Sequence, residues 1–338
     1  MSSGSGTDRP RRHSSSLLER KHGDLMSDEE LKKMLAQIES ELNGDAEHDA
    51  DVLDDWGQRF RGDPDAKELM EEIAHRLVDI ILEEEGDLPQ QIYDDMVETA
   101  EDDYKEACEL IEEKQYEEAL GKLLVLTEVI RHYPLPEGTV WKDFSSYLEG
   151  LVYQDYYSEE IGDREVGRHP MHPAHILYTC GSLLIEMDRP EEALEVLEML
   201  CDLDPVSPKY LYELAEAFKR TGRLQDAYDT SLWALSCAAD RNALARGYRD
   251  LGYCLTEAGE YEDAVMLYLL SQRYQATRQA EAEIIWIQKK AGTTVDGYNE
   301  QAITERCQEL GIPVGISETV RMNMEFLDMI SDLDEENK

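Results

Sequence analysis

The chain has no apolar run of the roughly 18 residues or more that a membrane-spanning helix needs. Phenylalanine and tryptophan are scarce, 4 of each, against 18 tyrosines. Tyrosine suits surfaces that are half buried and half wet, as a binding groove is. Positive charge is also scarce: 33 Lys and Arg face 76 Asp and Glu, for a formal charge of −43. Such an excess repels nucleic acid and anionic membranes, so neither is expected as a partner. Proteins or peptides are expected instead, and basic ones unless a local patch reverses the sign. A salt-adapted cytoplasm would give the same composition and imply nothing about partners. The six cysteines, Cys108, Cys180, Cys201, Cys237, Cys254 and Cys307, form no CxxC pair and fall in helix-like stretches. That usage points to small buried hydrophobes in a reducing, cytoplasmic compartment. RPRRH near the start has no apolar stretch behind it, so no secretory signal is read there. Phosphate-loop, HExxH and GxSxG patterns are missing too. The expectation is a protein that is not an enzyme and needs no cofactor.

Residues 1–26 are rich in Ser, Gly and Arg and are expected to be a disordered leader. Residues 27–62 read as a short helix followed by a solvated acidic linker. Ser27 and Glu30 fit a capping box, and Leu31, Met34, Leu35, Ile38 and Leu42 share one helical face. From Met34 to Gln58 there are eight acids and no Lys or Arg, which favours solvated chain after Asn43. Residues 63–172 read as an N-terminal helical region, with Asp63-Pro64 opening a helix. No stretch alternates as a half-buried strand would, so the chain is expected to be all-α.

Three segments align with one another: HILYTCGSLLIEMDRPEEALEVLEMLCDLDP, KYLYELAEAFKRTGRLQDAYDTSLWALSCAA and RGYRDLGYCLTEAGEYEDAVMLYLLSQRYQA. Ala193, Ala227 and Ala264 take equivalent places. Twelve residues before each stands another small residue: Gly181, Ala215 and Gly252. Leu177, Leu211 and Tyr248 precede those, and Leu197, Ser231 and Tyr268 follow the alanines. Two antiparallel helices approach closely only where both carry small side chains. Gly222 and Gly259 fall where the turn between paired helices favours a left-handed residue.

This pattern resembles the tetratricopeptide repeat, a helix–turn–helix of about 34 residues that stacks into a right-handed α-solenoid. The resemblance covers residues 173–280 as three units. A looser unit has Ala107 and Ala119 as its small residues. TVWKDFSSYLEGLVYQDYY, with Gly150, could supply one more front helix, but no rear-helix pattern follows it. Residues 281–338 are expected to form helices that cap the stack.

The resemblance implies a concave groove lined by the front helices. Carried over unit by unit, it points to His175, Tyr178, Ser182, Ile185 and Glu186; then Lys209, Tyr212, Glu216, Lys219 and Arg220; then Arg246, Arg249, Tyr253, Thr256 and Glu257. From Pro208 to Arg249 there are seven Lys and Arg against five Asp and Glu, a reversal of the overall sign. Either these cations converge on an acidic or carboxylate-ended peptide, or they neutralise neighbouring acids along the solenoid. Tyr178 and Ser182 stand where the chaperone-tail clamp of some family members has Lys and Asn, so that ligand is not expected. An acidic segment of the chain itself, near Asp45–Asp55 or at the C-terminus, is a competing occupant. The functional expectation is a scaffold that binds a protein or peptide. The alternative is an acidic, chaperone-like or nucleic-acid-mimicking binder of basic proteins. His169, His172 and His175 in RHPMHPAH are spaced for a metal, but the prolines make the segment a loop, and no metal is expected. Oligomeric state is not legible.

Overall fold

The computed structural model describes residues 28–60, 66, 69, 72, 73, 76 and 80, 90–292, 294, 295 and 297–336. The leader expected over residues 1–26, the Ser27 cap and the helix start at Asp63-Pro64 lie outside these. The chain divides into two compact units, Met1–Pro89 and Gln90–Lys338, so the division falls inside the stretch 63–172 that the sequence pattern groups as one region.

In the first unit α1 (Asp28–Glu41) is followed by α2 (Ala46–Phe60). The expected acidic linker is therefore a helix. Leu53 and Trp56 of α2 are buried with Ile38 of α1 and with Ala66, Leu69 and Ile73. Asp49 accepts hydrogen bonds from the Asn43 and Gly44 amides at 2.8 and 2.9 Å, and the Trp56 indole donates to Glu41 at 3.1 Å. Some of the acids thus cap the turn and anchor the helix rather than only dissolving the segment.

The second unit is an all-α solenoid interrupted by one small insertion. Its paired helices are α3 (Gln90–Glu112) with α4 (Tyr116–Arg131), α6 (Ala174–Glu186) with α7 (Pro190–Leu203), α8 (Pro208–Arg220) with α9 (Leu224–Cys237), and α10 (Arg241–Ala258) with α11 (Tyr261–Tyr274). Each pair packs on the next, and the front helices α6, α8 and α10 also touch in series. The small residues do what their spacing requires. Ala107, Ala119, Ala193, Ala215, Ala227 and Ala264 are fully buried. A Cβ on Gly181 would stand 2.5 Å from the Leu197 side chain, and one on Gly252 would stand 3.2 Å from the Tyr268 ring.

One turn recurs in all four pairs. Lys114, Asp188, Gly222 and Gly259 each adopt positive φ, between 58° and 86°. Each donates its amide to the carbonyl three residues back. The next residue, Gln115, Arg189, Arg223 or Glu260, donates to the carbonyl five back.

Between α4 and α6 lies β1 (Thr139–Lys142), α5 (Tyr147–Ile161) and β2 (Glu165–Arg168). The strands pair in parallel, Thr139 opposite Glu165 and Lys142 opposite Arg168. This corrects both the expectation of no strands and the reading of TVWKDFSSYLEGLVYQDYY as a front helix. Four residues are too few to show alternation, and Gly167 gives no strand signal because it makes room for the Thr139 and Trp141 side chains. The solenoid bypasses the insertion, since α4 packs directly on α6. Buried Asp143 ties it down: its carboxylate accepts from the Ala174 amide at 2.9 Å, and its own amide donates to the Leu203 carbonyl at 3.1 Å. Lys142 donates to the Asp202 carbonyl.

Beyond the pairs come α12 (Arg278–Ala291), α13 (Glu300–Glu309) and α14 (Glu318–Glu336). α12 packs on α11, and Ile303, Cys307 and Ile312 close the core formed by Leu251, Met266 and Leu267. α14 departs from the expected cap. It lies on α5, with Val320 fully buried and Asn323 donating to Asp155 at 2.7 Å. Tyr248 fixes the path between α13 and α14, donating to the Pro313 carbonyl and accepting from the Gly315 amide.

Candidate functional site: the inner face of the front helices

α6, α8 and α10 present the residues that the repeat pattern assigns to the groove. α8 begins with Pro208 after Ser207, and α10 is capped by Asp240, which accepts from the Asn242 and Ala243 amides at 2.7 and 3.0 Å. These starts line a groove of about 900 Å³. The groove is walled on one side by Lys209 of α8 and by Arg241, Arg246 and Arg249 of α10, and on the other by Ser145 and Ser146 at the head of the insertion helix. A second cavity of about 440 Å³ continues along the same helices past Lys219 and Tyr253.

The cations do not share one role. Lys219 lies 2.7 Å from Glu216 and 3.0 Å from Asp250. Burial disfavours its charge, but Asp250 and Glu216 outweigh that and hold its pKa above the usual lysine value. Arg246 meets Glu213 at 2.9 Å and Asp250 at 3.7 Å. Arg220 meets Glu216 at 2.9 Å and donates to the Ile185 carbonyl of α6 at 2.8 Å. For these three, the neutralising role weighed in the sequence is the one the structure displays: they rivet neighbouring front helices together. Asp250, the residue immediately after the cation-rich window, is the main counter-charge. Glu213 and Glu216 are the others; the repeat pattern placed Glu216 in the groove but missed Asp250 and Glu213, although Glu213 sits four residues after Lys209 on the same helical face.

Lys209 and Arg249 differ. Among the described residues neither takes part in an ion pair. The Lys209 ammonium sits 3.6 Å from the centroid of the Tyr178 ring. Burial lowers its pKa, with Glu213 and Glu149 pulling partly the other way. Arg249 donates one weak hydrogen bond to Gln275 at 3.3 Å, and its buried Nη1 has no partner among the described residues. Burial lowers its pKa as well.

Of the remaining assigned residues, Tyr253 is exposed beside Lys219, and the Ser182 hydroxyl is buried without a partner among the described residues. Tyr212 only edges the groove. It is 1% exposed and donates to the Ala243 carbonyl at 2.9 Å, so it cannot act as an open contact residue. Gly247 on α10 leaves the space its hydroxyl fills. His175 turns towards α3, edge-on to Tyr104 at 4.5 Å and 3.5 Å from Glu101.

The other two histidines share one turn beside Asp143, the His172 amide donating to the His169 carbonyl at 3.1 Å. His172 meets Asp143 at 3.4 Å, and buried His169 accepts from the Met171 amide at 3.2 Å. Burial pushes the His169 pKa down to about 4, so it stays neutral.

The four identical turns and the small-residue crossings decide the architecture. The second unit has a helical-repeat solenoid fold of the tetratricopeptide-like kind. No protein-family model and no curated protein matches the chain's sequence. Among solved structures it is similar to a crystal structure of MamA, with 18% identity and a TM-score of 0.33 over 48% of this chain and 91% of that one. It is also similar to MamA from residue 41 to its end from Desulfovibrio magneticus RS-1, at 14% identity and TM-score 0.37, over 70% and 98% of the two chains. A third likeness is to a chain of the APC/C hetero-tetramer Cut9–Hcn1, at 15% and 0.34, over 89% of this chain and 60% of that one. These likenesses are low, and the repeat assignment stands on its own hydrogen bonds and packing. Among the described residues no helix is long and apolar enough to cross a membrane.

Proposed function

We propose that the tetratricopeptide-like solenoid is an interaction scaffold whose inner face binds a protein or peptide segment, with carboxylates of that segment meeting Lys209 and Arg249. The observation that carries this reading is the contrast within one row of cations. Lys219, Arg220 and Arg246 are already paired, whereas Lys209 and Arg249, which border the groove of about 900 Å³ together with Arg246, have no ion-pair partner among the described residues. A buried guanidinium N–H without an acceptor is unfavourable by about 1–3 kcal/mol. A carboxylate arriving in the groove satisfies it with a charge-assisted bond. Leu148 and Val152 beside Ser145 and Ser146, whose hydroxyls donate to Glu149, supply the amphipathic lining that holds an extended segment.

Immobilised full-length protein tests this in a lysate. Capture should include proteins with acidic segments, should weaken with salt, and should be lost from Lys209→Glu with Arg249→Glu. Lys209 rests on Tyr178 near Glu213 and Glu149, and Arg249 lies near Asp250, so the double reversal should lower the thermal midpoint; Lys209→Gln with Arg249→Gln, which adds no like charge, should lose capture too while keeping its helical circular dichroism. If the captured proteins are basic and the double reversal does not affect them, the groove is not the site, and the acidic surface binds instead.

A further inference from the structure

α14 carries two apolar stripes, and only one of them is covered. Val320 and Met324 pack in the cluster that α5 and the repeat edges share, with Val320 fully buried and Asn323 hydrogen-bonded to Asp155. On another side of the same helix Met322, Phe326, Met329 and Ile330 are 60, 44, 53 and 40% exposed. Met322, Phe326 and Met329 are spaced by four and three residues, and Leu333 follows four later in the sequence. That alternation is the seam of a helix-to-helix pairing. Single exposed apolar side chains need no explanation, but a row at seam spacing along one helix does.

The charge beside the row identifies its occupant. Glu318, Glu325 and Asp328 are exposed along α14, and Arg321 is the only cation in the helix. The sequence adds Asp332, Asp334, Glu335 and Glu336. A second copy laid on this face would bring like charges together, on molecules that each carry −43. We infer that the outward face of α14 docks an amphipathic helix of a partner protein, one with leucine-like residues at seam spacing and Lys or Arg on its flank. Met322 and Met329 give the face the adaptable side chains that suit several such helices. This surface is separate from the groove, and it selects partners of the opposite sign.

The probe is a fluorescent amphipathic peptide of about 20 residues, long enough for several seam turns, with Leu at four–three spacing and Lys on the flanks. A twin carries Glu in place of Lys. Full-length protein should bind the Lys peptide in a salt-sensitive way. Phe326→Ser with Met329→Ser should weaken it by about tenfold or more. Glu325→Lys with Asp328→Lys should weaken it as well while leaving the apolar row intact. Both pairs are exposed, so helical circular dichroism and the thermal midpoint should hold. Lys209→Glu with Arg249→Glu should have no effect, which separates this site from the groove. Equal binding of the Lys peptide to wild type and to both α14 variants would overturn the inference in favour of diffuse attraction to an acidic protein. So would a Glu twin that depends on Phe326 and Met329, or sedimentation showing a wild-type dimer that the Phe326/Met329 variant loses.

Discussion

Single residues set the turn geometry and displace one buried acid strongly. Gly222 and Gly259 adopt φ of +75° and +86°, where an L side chain costs about 1 kcal/mol or more. Lys114 and Asp188 meet the same requirement without being glycine, at +65° and +58°. Gly222→Ala and Gly259→Ala should each lower stability by about 1 kcal/mol in urea unfolding, and Lys114→Gly should raise it slightly. Loss on Lys114→Gly would show that its side chain earns its place by contacts. Asp204 is fully buried between the repeats and the insertion, where the Val206 amide donates to its carboxylate at a long 3.4 Å and the Ser145 backbone also helps hold the charge. Burial first, and then Glu149 and Asp143, push its pKa up to about 8. An unfolded aspartate titrates near 3.9, roughly. Between about pH 4 and 8 the unfolded chain has lost a proton that the folded state keeps, so this group destabilises the fold increasingly as pH rises through that window. Wild type should therefore lose stability with pH more steeply than Asp204→Asn, by up to about 1.4 kcal/mol per pH unit. Equal slopes between pH 5 and 8 would mean that Asp204 ionises normally.

At the scale of elements, what the sequence revealed depended on repetition. The small residues at Gly181, Ala193, Ala215, Ala227, Gly252 and Ala264 recur, and each constrains the crossing of two helices, so the stack was readable from their spacing. The α3–α4 pair gave a weaker signal because Asp103 stands four residues before Ala107, where the clear units have Leu177, Leu211 and Tyr248. α2 was hidden by its own charge: Asp45, Asp49, Asp51 and Asp55 surround an apolar face reduced to Val52, Leu53, Trp56 and Phe60. β1 and β2 were hidden by brevity, and the covering of α5 by α14 was hidden because it joins residues far apart in the chain. In the groove, cation identity was legible but pairing was not, since Asp250 and Glu213 act across helices. Hydrogen exchange tests the α2 assignment. Amides of residues 46–60 should be protected in wild type and lose protection in Leu53→Ala, a core truncation worth about 2–5 kcal/mol, while residues 174–274 stay protected. Free exchange over 46–60 in wild type would restore the linker.

Across the whole molecule, 76 acids and 33 bases leave a field that should exclude acidic ligands, and a groove for carboxylates works only where cations are local and partly desolvated. Lys209 and Arg249 meet that condition without an ion-pair partner among the described residues; Lys219 and Arg246 are desolvated too, but their charge is already taken by Asp250 and Glu213. The most direct measurement is an anisotropy titration of full-length protein with a labelled Asp/Glu-rich peptide of about ten residues, against Lys209→Glu/Arg249→Glu and against Lys219→Gln as a paired-cation control. The account expects saturable binding that the double reversal abolishes, and that Lys219→Gln reduces only as far as it loosens the fold. Binding unchanged by the double reversal, or no binding by folded wild type at low salt, would contradict it.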